Sequence, residues 1–317
     1  MTGSAIQPAA TRQAQWLRAC GTFLCALLAL ATLDMLAKDL VARHPAPLVN
    51  LFRYGVVLMM AAGMVRARNC AWGLPRGHRA LVLWRGVALG GVGLTFMQAL
   101  QTMPLAEATA IYFLSPLMIV ALSPLLLRER IGPREAAAVV AGFLGMLLIV
   151  RPGNDLPLAG TVLMLVAAGS YAMLQILTRK LAGQVRMEQQ FFWAAVVCTG
   201  MTLLSLPTGG VMAWPSGADI LRLGLVGLLS GLGQFLLIKA FQQAPASSLA
   251  PFNYFHLVLA VVFSVAVFGQ QPDGIALTGI AIIALSGLSL MLPAFWRQVA
   301  GSLAGRRPPH GAAEKTP

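Results

Sequence analysis

Stretches with almost no charge recur along nearly the whole chain, each long enough to cross a bilayer, and the lysines and arginines crowd into alternate gaps between them. Eight such stretches lie between Leu81 and Phe295, and two more, Cys20 to Leu40 and Leu48 to Val65, bring the count to ten. A bilayer core takes about 20 apolar residues per helix. With no water there to satisfy backbone groups, only helices and closed barrels cross it. The sequence therefore predicts an all-α polytopic membrane protein. Its ten transmembrane helices fall near 17–39, 48–66, 81–101, 106–127, 132–150, 158–178, 190–209, 220–240, 246–268 and 274–294. A soluble fold is excluded on composition: 10% of residues are charged, against about 25% in soluble domains. Apolar runs continue to the far end, so the first one is read as a span and not as a cleaved signal peptide.

The net charge of +13 invites a nucleic-acid reading, but its placement argues for topology instead. With a cytoplasmic N-terminus, 16 of the 23 basic residues share one side: Arg12, Arg18, Arg66, Arg68, Arg76, Arg79, Arg128, Arg130, Arg134, Arg179, Lys180, Arg186, Arg297, Arg306, Arg307 and Lys315. Lys38, Arg43, Arg151 and Arg222 fall opposite, and Arg53, Arg85 and Lys239 sit at span ends. That bias predicts cytoplasmic termini. The basic loops lie where anionic head groups are, so the expected partners are membrane lipids and a small-molecule solute, with no nucleic acid. A homodimer is left open. The tails 1–16 and 300–317 are rich in Ala, Gly, Pro and charge and are expected to be flexible and cytoplasmic. Cys20, Cys25, Cys70 and Cys198 match no metal or disulfide spacing and read as small apolar packers.

Shifting the chain by 141 residues places Ala99, Gln101 and Pro104 on Ala240, Gln242 and Pro245, and Gly86 and Gly90 on Gly227 and Gly231. Asp34 falls on Gln175, Lys38 on Arg179 and Glu129 on Gln270. Matches spread over several spans point to a duplication. The halves, 17–152 and 156–295, each hold five spans. Five is odd, so the second half must enter the membrane in the opposite sense, giving two inverted five-helix repeats. Such halves can exchange inward-open and outward-open shapes around a site at their interface. The glycine pairs read mainly as close helix packing, and Gly142 and Gly145 read the same way.

Function should lie with the polar residues inside the spans. Asp34 and Lys38 are four apart and share a helix face. An unpaired acid in hydrocarbon costs roughly 2.5–3.5 kcal/mol even on insertion scales, so Asp34 needs a partner or a wet cavity. Lys38 can instead snorkel to the interface. Arg53, just after Asn50, is either an interfacial cation pairing with Asp34 or Asp39, or a fork for a substrate carboxylate. Arg85 reads as a basic-side anchor. Spans three and four add Gln98, Gln101, Tyr112 and Ser115, with Glu107 at the outer interface. Glu129, between Arg128 and Arg130, reads as part of an interfacial charge network. The second half adds Tyr171, Gln175, Gln234, Asn253, Tyr254 and His256. A hydrated histidine changes charge between about pH 5 and 8, so His256 makes proton coupling an open reading beside a neutral interhelical bond. No cofactor and no metal are expected.

Two segments carry a resemblance. Residues 99–108, Ala-Leu-Gln-Thr-Met-Pro-Leu-Ala-Glu-Ala, are followed by span four and by Leu127-Arg128-Glu129-Arg130-Ile131-Gly132. Their counterparts are Lys239-Ala240-Phe241-Gln242-Gln243-Ala244-Pro245-Ala246, span nine, and Phe268-Gly269-Gln270-Gln271-Pro272. Together with Asn50 to Arg53, these resemble the ten-span EamA branch of the drug/metabolite transporter superfamily over roughly Leu17 to Leu292. Gln270 stands where that family carries an acid. The resemblance implies a secondary permease of the bacterial inner membrane moving a small metabolite by alternating access. An amino acid is the first expectation for its cargo, with riboflavin or S-adenosylmethionine uptake as alternatives. Arg53 would then orient an anionic group, Asp34 would balance a cation or carry a proton, and Gln98, Tyr112 and Asn253 would set local contacts. An enzyme is not expected, since no HExxH, phosphate loop or nucleophile elbow occurs. A signalling or assembly protein remains the non-carrier alternative.

Overall fold

A computed structural model describes residues 9–126, 132–151, 156–181, 184–209, 215–244 and 249–304. Among these residues there is no strand. The helices are α1 (Ala9–Val41), α2 (Ala46–Ala67), α3 (Arg79–Thr102), α4 (Leu105–Tyr112), α5 (Ser115–Leu126), α6 (Pro133–Val150), α7 (Leu158–Leu181), α8 (Met187–Ser205), α9 (Gly217–Gln243), α10 (Tyr254–Ala266) and α11 (Gly274–Ala304). Two 3₁₀ turns, Leu206–Gly209 and Ala250–Asn253, follow α8 and precede α10. Among the described residues seven helical stretches are long and apolar enough to cross a membrane, and Pro251–Ala266 and Gly274–Leu290 are shorter apolar helices. Leu28, Met59, Trp84, Leu144 and Leu228 are exposed on this bundle. An apolar outer surface of that kind fits lipid and not water, and the protein is a multi-pass membrane protein.

Three features depart from the sequence expectations. Span four is broken: α4 ends at Tyr112 and α5 starts at Ser115. Pro116 explains the break, because its nitrogen cannot donate to the Tyr112 carbonyl and its ring crowds the preceding turn. The ends are also more helical than their composition predicted. Helix α1 begins at Ala9 and α11 runs to Ala304, since Ala, Gln, Arg and Leu propagate a helix beyond the membrane as readily as within it. The seventh expected span, α8, is helical but is not among the seven apolar stretches; Glu188, Gln189 and Gln190 make its first turn polar. The Leu127–Ile131 segment and the start of span nine at 246–248 lie outside the described residues.

The helices pair end against end. Arg43, beyond α1, hydrogen-bonds Asp219 in the first turn of α9 at 3.2 Å, and Gly233 farther along α9 faces Leu30. Helices α3 and α7 pair likewise: Arg85 donates to Thr178 at 2.9 Å, and Gly160 meets Met103 at the other end. Arg68 beyond α2 reaches Glu188 at the start of α8 at 3.6 Å, and Arg151 beyond α6 pairs with Asp273 just before α11. Each of these pairs is antiparallel. One end of the bundle thereby collects Lys38, Asp39, Arg43, Arg151, Asp219, Arg222 and Asp273, and the other collects Arg68, Arg85, Arg186 and Glu188. Arg85 is more than an anchor. It turns inward to join α3 to α7 and, through the Gln190 carbonyl at 3.2 Å, to α8.

The glycine pairs are packing sites, as their spacing predicts. Gly86 and Gly90 receive Val197 and Met201 of α8, while Gly227 and Gly231 receive Val56 and Met60 of α2. The two sets map onto each other under the 141-residue shift, partners included. Gly145 and Gly279 bring α6 and α11 together so closely that a Cβ on Gly279 would lie 2.5 Å from the Gly145 carbonyl oxygen.

The Arg151–Asp273 pair carries a pH prediction. Its hydrogen bonds from Arg151, and then from the Ala276 N–H, hold the Asp273 carboxyl below its ordinary 3.8. A depressed acid stabilises the fold above its unfolded value, and that contribution is lost as pH falls through the folded value. Melting curves of the wild type and of Asp273→Asn are therefore expected to differ at pH 7, to begin to approach each other near 3.8, and to converge only below the folded value, which lies under 3.8. The difference should be small, because the pair is exposed. Curves that stay apart at the lowest pH would count against this role.

Candidate functional site

The break between α4 and α5 aims a set of aromatic side chains inward. Tyr112 stacks edge-on against Phe96 of α3 at 5.3 Å between centroids and meets Tyr171 of α7 at 5.4 Å. The next residue, Phe113, meets Tyr254 of α10 at 5.4 Å and His256 at 6.2 Å. Gln175, one turn beyond Tyr171 on α7, donates its amide to the Tyr171 hydroxyl at 3.0 Å. Offset and edge-on aromatic contacts of this type hold rings in fixed orientations.

Charge enters from both sides of this cluster. Asp34 of α1 is buried, and His256 Nε2 lies 3.2 Å from its carboxylate. Asp34 therefore has a partner within reach, as its cost in hydrocarbon requires. Arg53 of α2 pairs with neither Asp34 nor Asp39. Its Nε donates to the Ser230 hydroxyl of α9 at 3.4 Å, and its guanidinium carbon lies 5.6 Å from the Tyr54 ring centre. Asp34 and Arg53 both act electrostatically on the Tyr112 phenol. An anion, a guanidinium, an imidazole and stacked rings thus converge from α1, α2, α4, α7 and α10. Such a set can hold a cation, a carboxylate and a flat ring at once.

Other expected residues lie elsewhere. Lys38 and Gln101 sit at the bundle end: Lys38 Nζ donates to the Leu100 and Met103 carbonyls at 2.6 and 2.5 Å, and Gln101 donates to the Val41 carbonyl at 3.3 Å. Asn50 is fully buried and fastens α2 to α3 through the Gly93 carbonyl at 2.9 Å. Ser115 is buried at the start of α5, and the Tyr254 hydroxyl lies against Gly287. Gln98, Gln234 and Asn253 are half-buried and, among the described residues, make no side-chain hydrogen bond. Sequence reasoning missed Ser230, Phe96 and Phe113. For Ser230 a signal existed: it stands four residues before Gln234 on one face of α9.

An apolar helical bundle with charge and aromatic rings gathered at its centre defines a membrane transporter of small solutes. The profile of the EamA-like transporter family matches residues 17–151 and again 158–292, and the chain belongs to that family. It is 28% identical over 275 residues to an S-adenosylmethionine uptake transporter of Rickettsia felis, covering 84% of this chain and 90% of that one. It is 29% identical over 252 residues to a riboflavin transporter of Rhizobium johnstonii, covering 78% and 81%. A protein of known crystal structure shares the fold at a TM-score of 0.62 and 21% identity, over 89% of this chain and 98% of its own.

Proposed function

We propose that the chain is a ten-span secondary carrier of the bacterial inner membrane with both termini cytoplasmic, and that it takes up a solute combining a flat heterocycle with charged groups, of the S-adenosylmethionine class. Residues 17–152 and 156–295 would form inverted halves that rock about the centre. The antiparallel pairing of α1 with α9, α3 with α7, α2 with α8 and α6 with α11 supports this. So does the exchange of neighbours: α1 beside α9 and α10 is matched by α7 beside α3 and the α4–α5 span. The skew of basic residues supports the orientation.

The observation that carries the cargo reading is Asp34 facing His256 beside an Arg53 that reaches no carboxylate among the described residues, near the Tyr112–Tyr171 rings. Asp34 would receive the cationic part of the solute, Arg53 its carboxylate, and the rings its heterocycle. Asp34 and His256 would also carry the proton if flux is proton-coupled. Riboflavin is the second reading, favoured by the aromatic cluster and by the Rhizobium relative, although a neutral flavin leaves the buried charges unused. An amino acid is less well supported, because neither relative is named for one and a bare amino acid does not need the rings.

Flux into proteoliposomes tests the proposal, with labelled S-adenosylmethionine and riboflavin supplied separately. Saturable S-adenosylmethionine uptake is expected, and Arg53→Ala should raise its KM about 30-fold, the loss of a charge-assisted hydrogen bond worth about 2 kcal/mol. Riboflavin flux alone would replace the first reading with the second. No flux of either, from vesicles holding folded protein in both orientations, would remove both.

A further inference from the structure

At the bundle end that holds Lys38, a cavity of about 390 Å³ opens between the α3–α4 corner and the segment leading into α11. That is within the range of small-molecule sites. Most of its polar lining is already engaged. Lys38 is held by the Leu100 and Met103 carbonyls, Gln101 donates to Val41, and Asp273 is taken by Arg151 and by the Ala276 N–H at 2.7 Å. Among the buried lining atoms two oxygens remain without a hydrogen-bond donor, Glu107 Oε2 and Gln270 Oε1, while the exposed Gln271 also lines the cavity. Glu107 is only 7% exposed.

The chemistry of what is left over selects the ligand. Both oxygens accept, so the ligand must donate. Glu107 adds negative charge and Asp273 lies on the same wall, so an anion is repelled. Lys38 lines the same cavity, but its ammonium is turned onto the Leu100 and Met103 carbonyls and forms no ion pair with Glu107 among the described residues, so a neutral donor would leave the buried carboxylate without a direct counter-charge. A hard inorganic cation such as calcium requires about six oxygen ligands, and the buried unpartnered oxygens of this lining are two. We infer that this cavity is an outer binding site for a primary ammonium group, received by Glu107 Oε2 and Gln270 Oε1 and distinct from the Asp34–Arg53 centre. Its role as the first stop for the ammonium of a solute rests on the carrier reading above; the site itself does not.

The test uses the full chain in lipid nanodiscs and needs no flux. A hydrophobic carbodiimide labels buried carboxyl groups, and peptide mass spectrometry reads the label at Glu107. Propylammonium chloride is titrated at constant ionic strength made up with sodium chloride. Labelling of Glu107 that propylammonium suppresses and sodium does not is the expected result. Gln270→Ala should raise the half-protecting concentration about fivefold, the share of one hydrogen bond. An unlabelled Glu107, equal protection by sodium, or an unchanged half-point in Gln270→Ala would each overturn the site. Protection without uptake of any solute would uphold the site and count against the carrier reading; uptake without protection would do the reverse.

Discussion

Asp34→Asn is expected to reduce uptake of a cationic solute about 100-fold, with most of the loss persisting at saturating concentration. Removing one partner of a buried charge pair costs about 2–5 kcal/mol, and Asn is close to Asp in shape, so the loss reports charge and not packing. The carboxylate stands 3.2 Å from His256, which links α1 of one half to α10 of the other. The same contact predicts a response to pH. If flux is proton-coupled as proposed above, the response of flux to an imposed pH gradient should flatten in His256→Gln, which removes the imidazole that faces Asp34 among the described residues. Flux in Asp34→Asn above a tenth of the wild-type value would remove Asp34 from the path. A pH response that survives in His256→Gln would move the proton to other groups.

Among the described glycines Gly279 is the one whose added Cβ would come nearest to backbone, and Gly279→Val should force α6 and α11 apart. A Cβ there would lie 2.5 Å from the Gly145 carbonyl oxygen and 2.8 Å from Ile149, and a Cβ added at Gly145 would in turn lie 2.9 Å from the Gly279 carbonyl oxygen. Backbone cannot step aside as a flexible side-chain tip can, so α6 and α11 must separate. Overpacking of this kind costs up to about 3 kcal/mol, enough to strip most of the monodisperse protein from a detergent extract. Gly55→Val is the control, since nothing lies within 4 Å of its added Cβ. Equal yields and melting temperatures for the two variants, read by fluorescence-detected size exclusion, would show that the close approach carries no weight.

The spans, the basic bias and the glycine pairs were legible because each is a local or periodic property. A run such as Gly274 to Leu290 must be an apolar helix wherever it packs, and Gly86 with Gly90 must present a flat face to something. What that face meets was not legible. Val197 and Met201 are more than 100 residues away from it, and apolar side chains carry no label for their partners. Asp34 was correctly read as needing company, yet nothing at position 256 names position 34. Of the two sequence readings of Arg53, the one that pairs it with Asp34 or Asp39 rests on acids nearby in sequence, whereas the fold gives it Ser230. Hydroxyls are too common in membrane helices to stand out. The break at Phe113 had a signal in Pro116, but apolar content alone read straight through it.

The α1–α9 and α3–α7 contacts are fastened by unlike chemistry. Where α1 meets α9, Asp39, Arg43, Asp219 and Arg222 form a cluster of opposite charges; where α3 meets α7, Arg85 holds a hydroxyl and a carbonyl. Dissolved salt weakens the first fastening and scarcely touches the second. In the carrier proposed above, whose inverted halves would rock between two opposed shapes, such inequality would be a built-in tare. The resting tilt would then depend on the ionic strength on one face of the membrane, before any solute has bound.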